Sequence, residues 1–409
     1  MFQSRKQNIE RICEDVVDAD YSSIQHFISE SPWDARAVMN KVAGDSSKAL
    51  AALGRVGLLI DESSHLKKGD NSVGVSRQYA GCIGKVDNCQ VAVYGALSTG
   101  SYYQLIDCEL YLPKIWTEDR KRCKKAGVPE ERMSHQSKSE LALEIVKRQL
   151  AEGTHFDWVG ADGLYGNDSW LLGELDALDQ LFVIDIHSDQ RVYINEPEIA
   201  IPVKTNNRGR TPSRFKTNSQ SIEVRQLLLS LPESAWEDVH IRNGTSEEIK
   251  AKATVLNVYA WDGKSDHAIE RKLIIRKTKT KNGEEIKYSF SNAFDNEFTL
   301  EELVRMQAQR YFIEQSFRDA KQEVGMSKYQ VRGWLAWHHH MAMVMMATQF
   351  ILFEKLLHKE ELPLLSAFDV REIIMHTYAN KKDDIKEALQ IMKNRHRQRA
   401  PIQDIRIKT

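Results

Sequence analysis

Residues 56–61 read VGLLID, a short apolar run that ends in an acid, Asp61. Such a run is too short for a helix and predicts a strand buried on both faces of its sheet. Working outward, 90–98 (QVAVYGALS) and 103–112 (YQLIDCELYL) read as two more strands, with STGSY as the turn between them. Residues 117–151 are charged and helical, with a break at Gly127–Pro129. A fourth strand is expected at 156–161 (FDWVGA), just before Asp162, then a helix over 169–178 and a fifth strand at 181–186 (LFVIDI). Residues 187–285 interrupt this rhythm with polar loops, β-rich runs at 253–261 and 270–278, and hairpin turns at Asn243–Gly244 and Asn282–Gly283. Beyond them one long helix is expected over Leu300–Glu323 and another over Trp334–His358.

Three antiparallel strands followed by βα units is the strand order of the ribonuclease-H-like fold, an α/β architecture, and this is an analogy of fold alone. The expected division is a helical N-terminal DNA-binding or cap region at 1–50, where Asp34 can start a helix, and the catalytic core at 51–186 and 286–358. A β-rich insertion occupies 187–285, and 359–409 forms a helical, basic C-terminal region.

The composition sets limits. A chain of 409 residues with 42% hydrophobic and 28% charged residues can bury a core. The net charge of −1 argues against a wholly basic coat protein and leaves local charge to decide partners. The five cysteines, 13, 82, 89, 108 and 123, form no CxxC pair, so neither a disulfide framework nor a zinc knuckle is indicated. The start, MFQSRKQNIE, lacks the apolar stretch of a secretory signal. The longest nearly apolar stretch, 341–353, is 13 residues, below the length of a membrane span. The expected location is the bacterial cytoplasm, at the nucleoid. No GxSxG elbow accompanies Ser63, Ser64 and His65, and no phosphate-binding glycine motif occurs. The triple His338–His340 reads as a helix start, since adjacent helical residues cannot all face one ion.

Asp61 and Asp162 are expected at the ends of neighbouring strands, and Glu314 on the helix that packs afterwards. Taken singly, each has an ordinary structural explanation: a strand-end Asp caps a loop, and a helical Glu faces solvent. Three carboxylates converging from separate elements instead make a hard, all-oxygen site that suits Mg²⁺ or Mn²⁺. Two such ions about 3.5–4 Å apart can serve phosphoryl transfer. Glu62 is set aside because successive strand residues face opposite ways, and Glu323 because it lies across the helix from Glu314.

Cations are grouped near these acids. Arg310, Glu314, Arg318 and Lys321 fall on one helical face, a spacing equally typical of simple side-chain pairing. Lys204, Arg208, Arg210, Arg214 and Lys216 run without an intervening acid, as do Arg271, Lys272, Arg276, Lys277, Lys279 and Lys281. Lys393, Arg395, Arg397 and Arg399 follow near the C-terminus. Any one cluster could be a solvated loop, but segregated cations in a neutral chain favour a polyanion partner.

The stretches 58–97, 158–168 (WVGADGLYGND) and 310–326 (RYFIEQSFRDAKQEVGM) resemble the DDE transposases of bacterial insertion sequences, in particular insertion-sequence family 701. The resemblance spans most of 20–350, and its superfamily carries a β insertion before the catalytic Glu. It implies Asp61, Asp162 and Glu314 as the catalytic, metal-holding acids. In the wider superfamily's Tyr–Arg–Glu–Lys signature, Arg310, Glu314 and Lys321 match and Gln307 stands in the Tyr place. The segment before the first acid is short for the family. The resemblance further implies two Mg²⁺ or Mn²⁺ ions, cutting of double-stranded DNA at terminal inverted repeats, and joining of the 3′-OH to target DNA. A homodimer on DNA is expected. The competing readings are a catalytically silent or domesticated DNA-binding protein and a structure-selective nuclease of the same fold.

Overall fold

The computed structural model describes residues 20–204, 210–244, 248–280 and 283–379, together with Cys13 and Lys393. Helices α1 (Tyr21–Ser29) and α2 (Ala35–Ala51) come first, and the Asp34 side chain caps α2 by accepting from the Arg36 and Ala37 amides. The strands are β1 (Gly57–Leu66), β2 (Ser76–Ala80), β3 (Lys85–Thr99) and β4 (Tyr102–Leu110). Helix α3 (Lys138–Ala151), β5 (Trp158–Ala161), α4 (Ser169–Ala177) and β6 (Phe182–Ile186) follow. Next come β7 (Glu237–Asn243), β8 (Glu248–Ala260), β9 (Ile269–Thr280) and β10 (Gly283–Ser291). The chain continues through α5 (Leu300–Gln309), α6 (Tyr311–Glu323), α7 (Trp334–Leu357) and α8 (Ala367–Ala379).

These ten strands form one mixed sheet, ordered β7-β8-β9-β10-β6-β5-β1-β3, with β2 and β4 both paired to β3; two short two-stranded sheets lie outside it. β1, β5 and β6 run parallel, and the other pairings are antiparallel. The β-rich part of the expected insertion continues the central sheet, because β10 pairs with the edge of β6, and the expected boundary at 285 falls inside β10.

Alternation along β1 shows what covers each face. Leu58 and Ile60 pack with Leu141, Ile145 and Leu171 of α3 and α4. Leu59 packs with Val304, Ile313 and Met341 of α5, α6 and α7. Arg36, Arg132 and Arg148 close on the buried Asp107 and Glu109 of β4, tying α2 and α3 to that strand.

The single helix expected over 300–323 is two. The intrahelical ladder slips at Arg310, where the Ile313 amide bonds only three residues back, although φ −51° and ψ −31° remain helical. No Gly or Pro marks the place. The neighbouring Gln309 is pinned by its side chain to Ser98 Oγ (2.6 Å) and the Gly100 carbonyl (2.9 Å). Helix α5 starts with a capping box in which Thr299 and Glu302 satisfy each other's amides. Thr299→Ala is expected to cost about 1 kcal/mol in urea unfolding, as lost N-caps do.

Helix α7 has the length and apolarity to cross a membrane, which the 13-residue count concealed. Here Trp337, Met341 and Met345 are buried, and the His339 ring nitrogens meet the Ile28 and Trp33 carbonyls at 2.8 Å. It is a core helix of this fold.

Candidate active site

The register builds the site. The last pair between β1 and β5 is Ile60 with Ala161, and Ala161 also pairs with Ile184 of β6. Asp61, Asp162 and Asp185 each follow by one residue. They form a row across three parallel strands, on the face that also carries Leu59 and Val183 and packs against α5, α6 and α7. Asp61 lies inside β1 rather than at its end, because β1 runs on to Leu66 along β3; it stands where the partner β5 stops.

The row is crowded and poorly hydrated. Burial, with Asp162 as the nearest like charge, pushes the Asp61 carboxyl up to about 8. Asp162 is raised as well, by burial and then by Glu62. Each acid also accepts a local amide: Asp61 from Glu62 (2.7 Å), Asp162 from Leu164 (3.0 Å). Asp162 thus also caps the turn Gly163–Gly166. That turn lies so close to β6 that a Cβ on Gly166 would sit 1.9 Å from the Asp185 carbonyl oxygen, which explains the glycine.

Arg310 lies among these acids. Its guanidinium is 2.9 Å from Glu314, 3.1 Å from Asp185 and 3.6 Å from Asp61, with only 16% of its side chain exposed. Burial opposes its charge, and Asp185, Glu314, Asp61 and Asp162 together outweigh it and raise its pKa. Glu314 is half-exposed, in the first turn of α6, and is joined to the row through Arg310. Among the described residues no three acidic, His or Cys side chains converge as a ready metal cage. The donor set nonetheless fits a hard cation. It is all carboxylate, and its Asp61–Asp162 pair resists ionising together until positive charge arrives.

Glu62 points to the other face, as alternation requires, and bonds Lys138 (2.7 Å) and the Tyr165 hydroxyl (3.1 Å). Its charge still reaches Asp162. Glu323 is buried and paired with Arg371 (3.0 Å), far from a ligand's role.

Sequence reading missed Asp185. It follows a hydrophobic run just as Asp61 and Asp162 do, and LFVIDI was that signal. Ser289 donates to Asp185 (2.6 Å), and Gln307 donates to Ser289 (2.7 Å), so a buried chain from α5 fixes the carboxylate that holds Arg310. Gln307 therefore lies on a different helix from Glu314, and spacing from the Glu does not describe its place.

The cation clusters separate. Lys321 is half-buried, with Asp61 among the charges that act on its amine, whereas Arg318 is exposed and bonds Gln315. Strand alternation divides the β9 cluster between two faces. Arg271 is buried against Asp176 of α4, and Lys277 lies over Trp236, both on the face away from the acids. Lys272 is paired to Asp295. Only Arg276 of these four turns to the acid face without a carboxylate partner among the described residues. Arg271 and Lys272 are both held in ion pairs within the fold. Arg210 and Arg214 are exposed outside helix and strand, and Lys216 is exposed in a two-residue strand, Lys216–Thr217, paired with Ile199–Ala200. Lys204 is exposed as well, while Arg208, Lys281, Arg395, Arg397 and Arg399 lie outside the described residues.

Residues 1–248 match the model of a family described as DDE superfamily endonuclease, a span that includes Asp61 and Asp162 and stops short of Glu314. A probable transposase for insertion sequence element IS701 from Microchaete diplosiphon is 30% identical over 174 residues, 42% of each chain. The chain thus matches about two fifths of that relative's length. The crystal structure of the NurA nuclease from Sulfolobus solfataricus overlaps 75% of this chain and 85% of its own at 10% identity and a TM-score of 0.24, too low to carry an argument.

Proposed function

Since the chain belongs to the DDE superfamily of endonucleases, we propose that it is a DNA transposase that cuts insertion-sequence ends and joins the freed 3′-OH to target DNA. The observation that carries this reading is the row of Asp61 and Asp162 on adjacent parallel strands, facing the helix with Glu314. The order β4-β3-β1-β5-β6 within the sheet supports a ribonuclease-H-like core. In this reading Asp61, Asp162 and Glu314 hold Mg²⁺ or Mn²⁺. Two such ions, when bound, activate the attacking hydroxyl and neutralise charge on the transferring phosphoryl group.

The chain's own residues do the rest. The buried Asp61 and Asp162 resist ionising together and would supply unscreened negative charge to a cation once it binds. Arg310 offsets that charge on the protein side, held in place by Asp185, Ser289 and Gln307. Lys321, whose amine feels the Asp61 charge, offers a point charge to the strand being cut, and Arg318 with the exposed Lys204, Arg210, Arg214 and Lys216 meets phosphates farther out.

The decisive experiment uses a plasmid carrying the DNA that flanks the gene. Full-length protein should cut and join it with Mg²⁺ or Mn²⁺ and do neither in excess chelator. Cutting without joining would favour the nuclease reading, and binding without cutting the silent one. Thermal melting gives an independent check. A divalent ion at a hundredfold excess over its Kd should stabilise the wild type by about 2.7 kcal/mol. A melting curve indifferent to Mn²⁺ would remove the metal site from the account.

A further inference from the structure

A second site lies beside the acids. Strand β9 turns Ile274, Arg276 and Thr278 to the face that packs on α5 and α6. There Arg276, Thr278 and Lys279 of β9, Arg242 of β7, and Ala308 and Tyr311 of the helices line a groove of about 550 Å³. Arg276 is 9% exposed, and among the described residues its guanidinium makes no hydrogen bond or ion pair; its Nε is buried with no partner. The Thr278 hydroxyl is likewise buried and unpartnered. Arg242 stacks over the Tyr311 and Phe312 rings, 4.6 and 5.0 Å from their centroids, and pairs with no carboxylate among the described residues. Lys279 stands exposed at the mouth. The one acid in the lining, Glu285, is exposed and within 3.6 Å of Lys287; it and Asp185 attract Arg276 through space without a hydrogen bond or ion pair to it.

A buried guanidinium without an acceptor is costly to fold around, since desolvation is not compensated. Arrangements of this kind persist where a ligand supplies the missing anion. The fork of Arg276 offers planar donors, Thr278 adds a hydroxyl, and Arg242 and Lys279 add charge, which together suit one tetrahedral anion oxygen set. Tyr311 and Phe312 follow Arg310 directly, so the groove opens next to the catalytic row.

We propose that this groove is a phosphate-binding site that holds a backbone phosphodiester of the substrate DNA beside the cut, an inference that rests on the chain acting on DNA. Arg276 and Thr278 grip the phosphate from beneath, and Arg242, propped on its two rings, closes over it. The row of acids and this site then hold one DNA strand at two places, on the central and the added halves of the same sheet.

The test is duplex DNA binding by fluorescence anisotropy, with full-length protein in excess chelator and over a series of salt concentrations. Arg276→Gln and Arg242→Gln should each weaken binding and lower the log–log salt slope by about 0.9, the loss of one phosphate contact. Arg276→Lys keeps the charge and loses the fork, so it should keep the slope and still bind less tightly. It also carries the test if the Gln variant melts early, as does Arg242→Gln at the rim. Inorganic phosphate should raise the melting temperature of the wild type and not of Arg276→Gln. Wild-type affinity and slope in both Gln variants would overturn the proposal. Phosphate protection with unchanged duplex binding would also overturn it, by assigning the groove to free phosphate. The transposase reading is judged separately, by metal-dependent cutting and joining in the wild type, so the two can fail independently.

Discussion

Asp61→Asn is expected to reduce metal-dependent DNA cleavage by about 10³-fold or more while raising the melting temperature of the metal-free protein. The two effects have one cause. The carboxylate is buried beside Asp162, and its pKa of about 8 means that the fold disfavours its charged form. Between pH 4 and 8 the folded chain holds a proton that the unfolded chain has released. Stability therefore falls as pH rises through that window, and the cost of ionised Asp61 is complete above it. Asn keeps the shape and removes the charge, so its advantage should grow from pH 4 to 8. Cleavage should collapse because a cation loses a ligand; removal of a single electrostatic stabiliser already costs about 10²–10³. Melting in chelator at pH 5 and pH 8.5, paired with a cleavage assay, checks both halves. An Asn variant that melts below the wild type at pH 8.5 would show that Asp61 is held ionised by its surroundings.

Arg310→Met should destabilise the metal-free protein by about 3–5 kcal/mol, the cost of leaving a buried charge without its partner. The side chains it would abandon, Asp61 and Asp185, are 14% and 12% exposed. Were Arg310 merely the partner of Glu314 four residues on, the loss would be about 0.2–0.5 kcal/mol. Urea unfolding at pH 8 in chelator separates these cases. The loss should shrink toward pH 5, where Asp61 takes up its proton, and shrink again when Mn²⁺ is added at pH 8. Cleavage should weaken strongly without vanishing, since the acids remain. A loss that is the same at both pH values would tie Arg310 to packing rather than to the acids.

How much of this could be read in advance depended on the range of the interactions. VGLLID, QVAVYGALS and LFVIDI were legible as strands because burial on both faces leaves a run of apolar residues whatever the partners are. Their ends were less so: β1 runs five residues past Asp61 because β3 continues beside it, and β2 carries too little apolar character to be seen. The break at Arg310 was invisible. Helical spacing continues through it, and the slip arises where Gln309 reaches the turn after β3 and Arg310 reaches the acids, contacts made some 125 to 211 positions apart.

The sequence by itself determined which residue types could face each other: alternation put Glu62 opposite Asp61, and helical spacing put Glu323 across from Glu314. Both follow from the backbone period, which needs no tertiary partner. Only the tertiary structure decided which charges work together. Adjacent cations on β9 were a single cluster on paper, yet pleating sends Arg271 to Asp176 and Arg276 to the acid face, where among the described residues no carboxylate pairs with it directly and Asp185 and Glu285 act on it only through space. Asp185 joined Asp61 and Asp162 through the register of three parallel strands, a property of pairing rather than of any one strand. Electrostatic effects act through space and depend on burial, so charge read along the chain cannot rank them until the fold sets distances and excludes water.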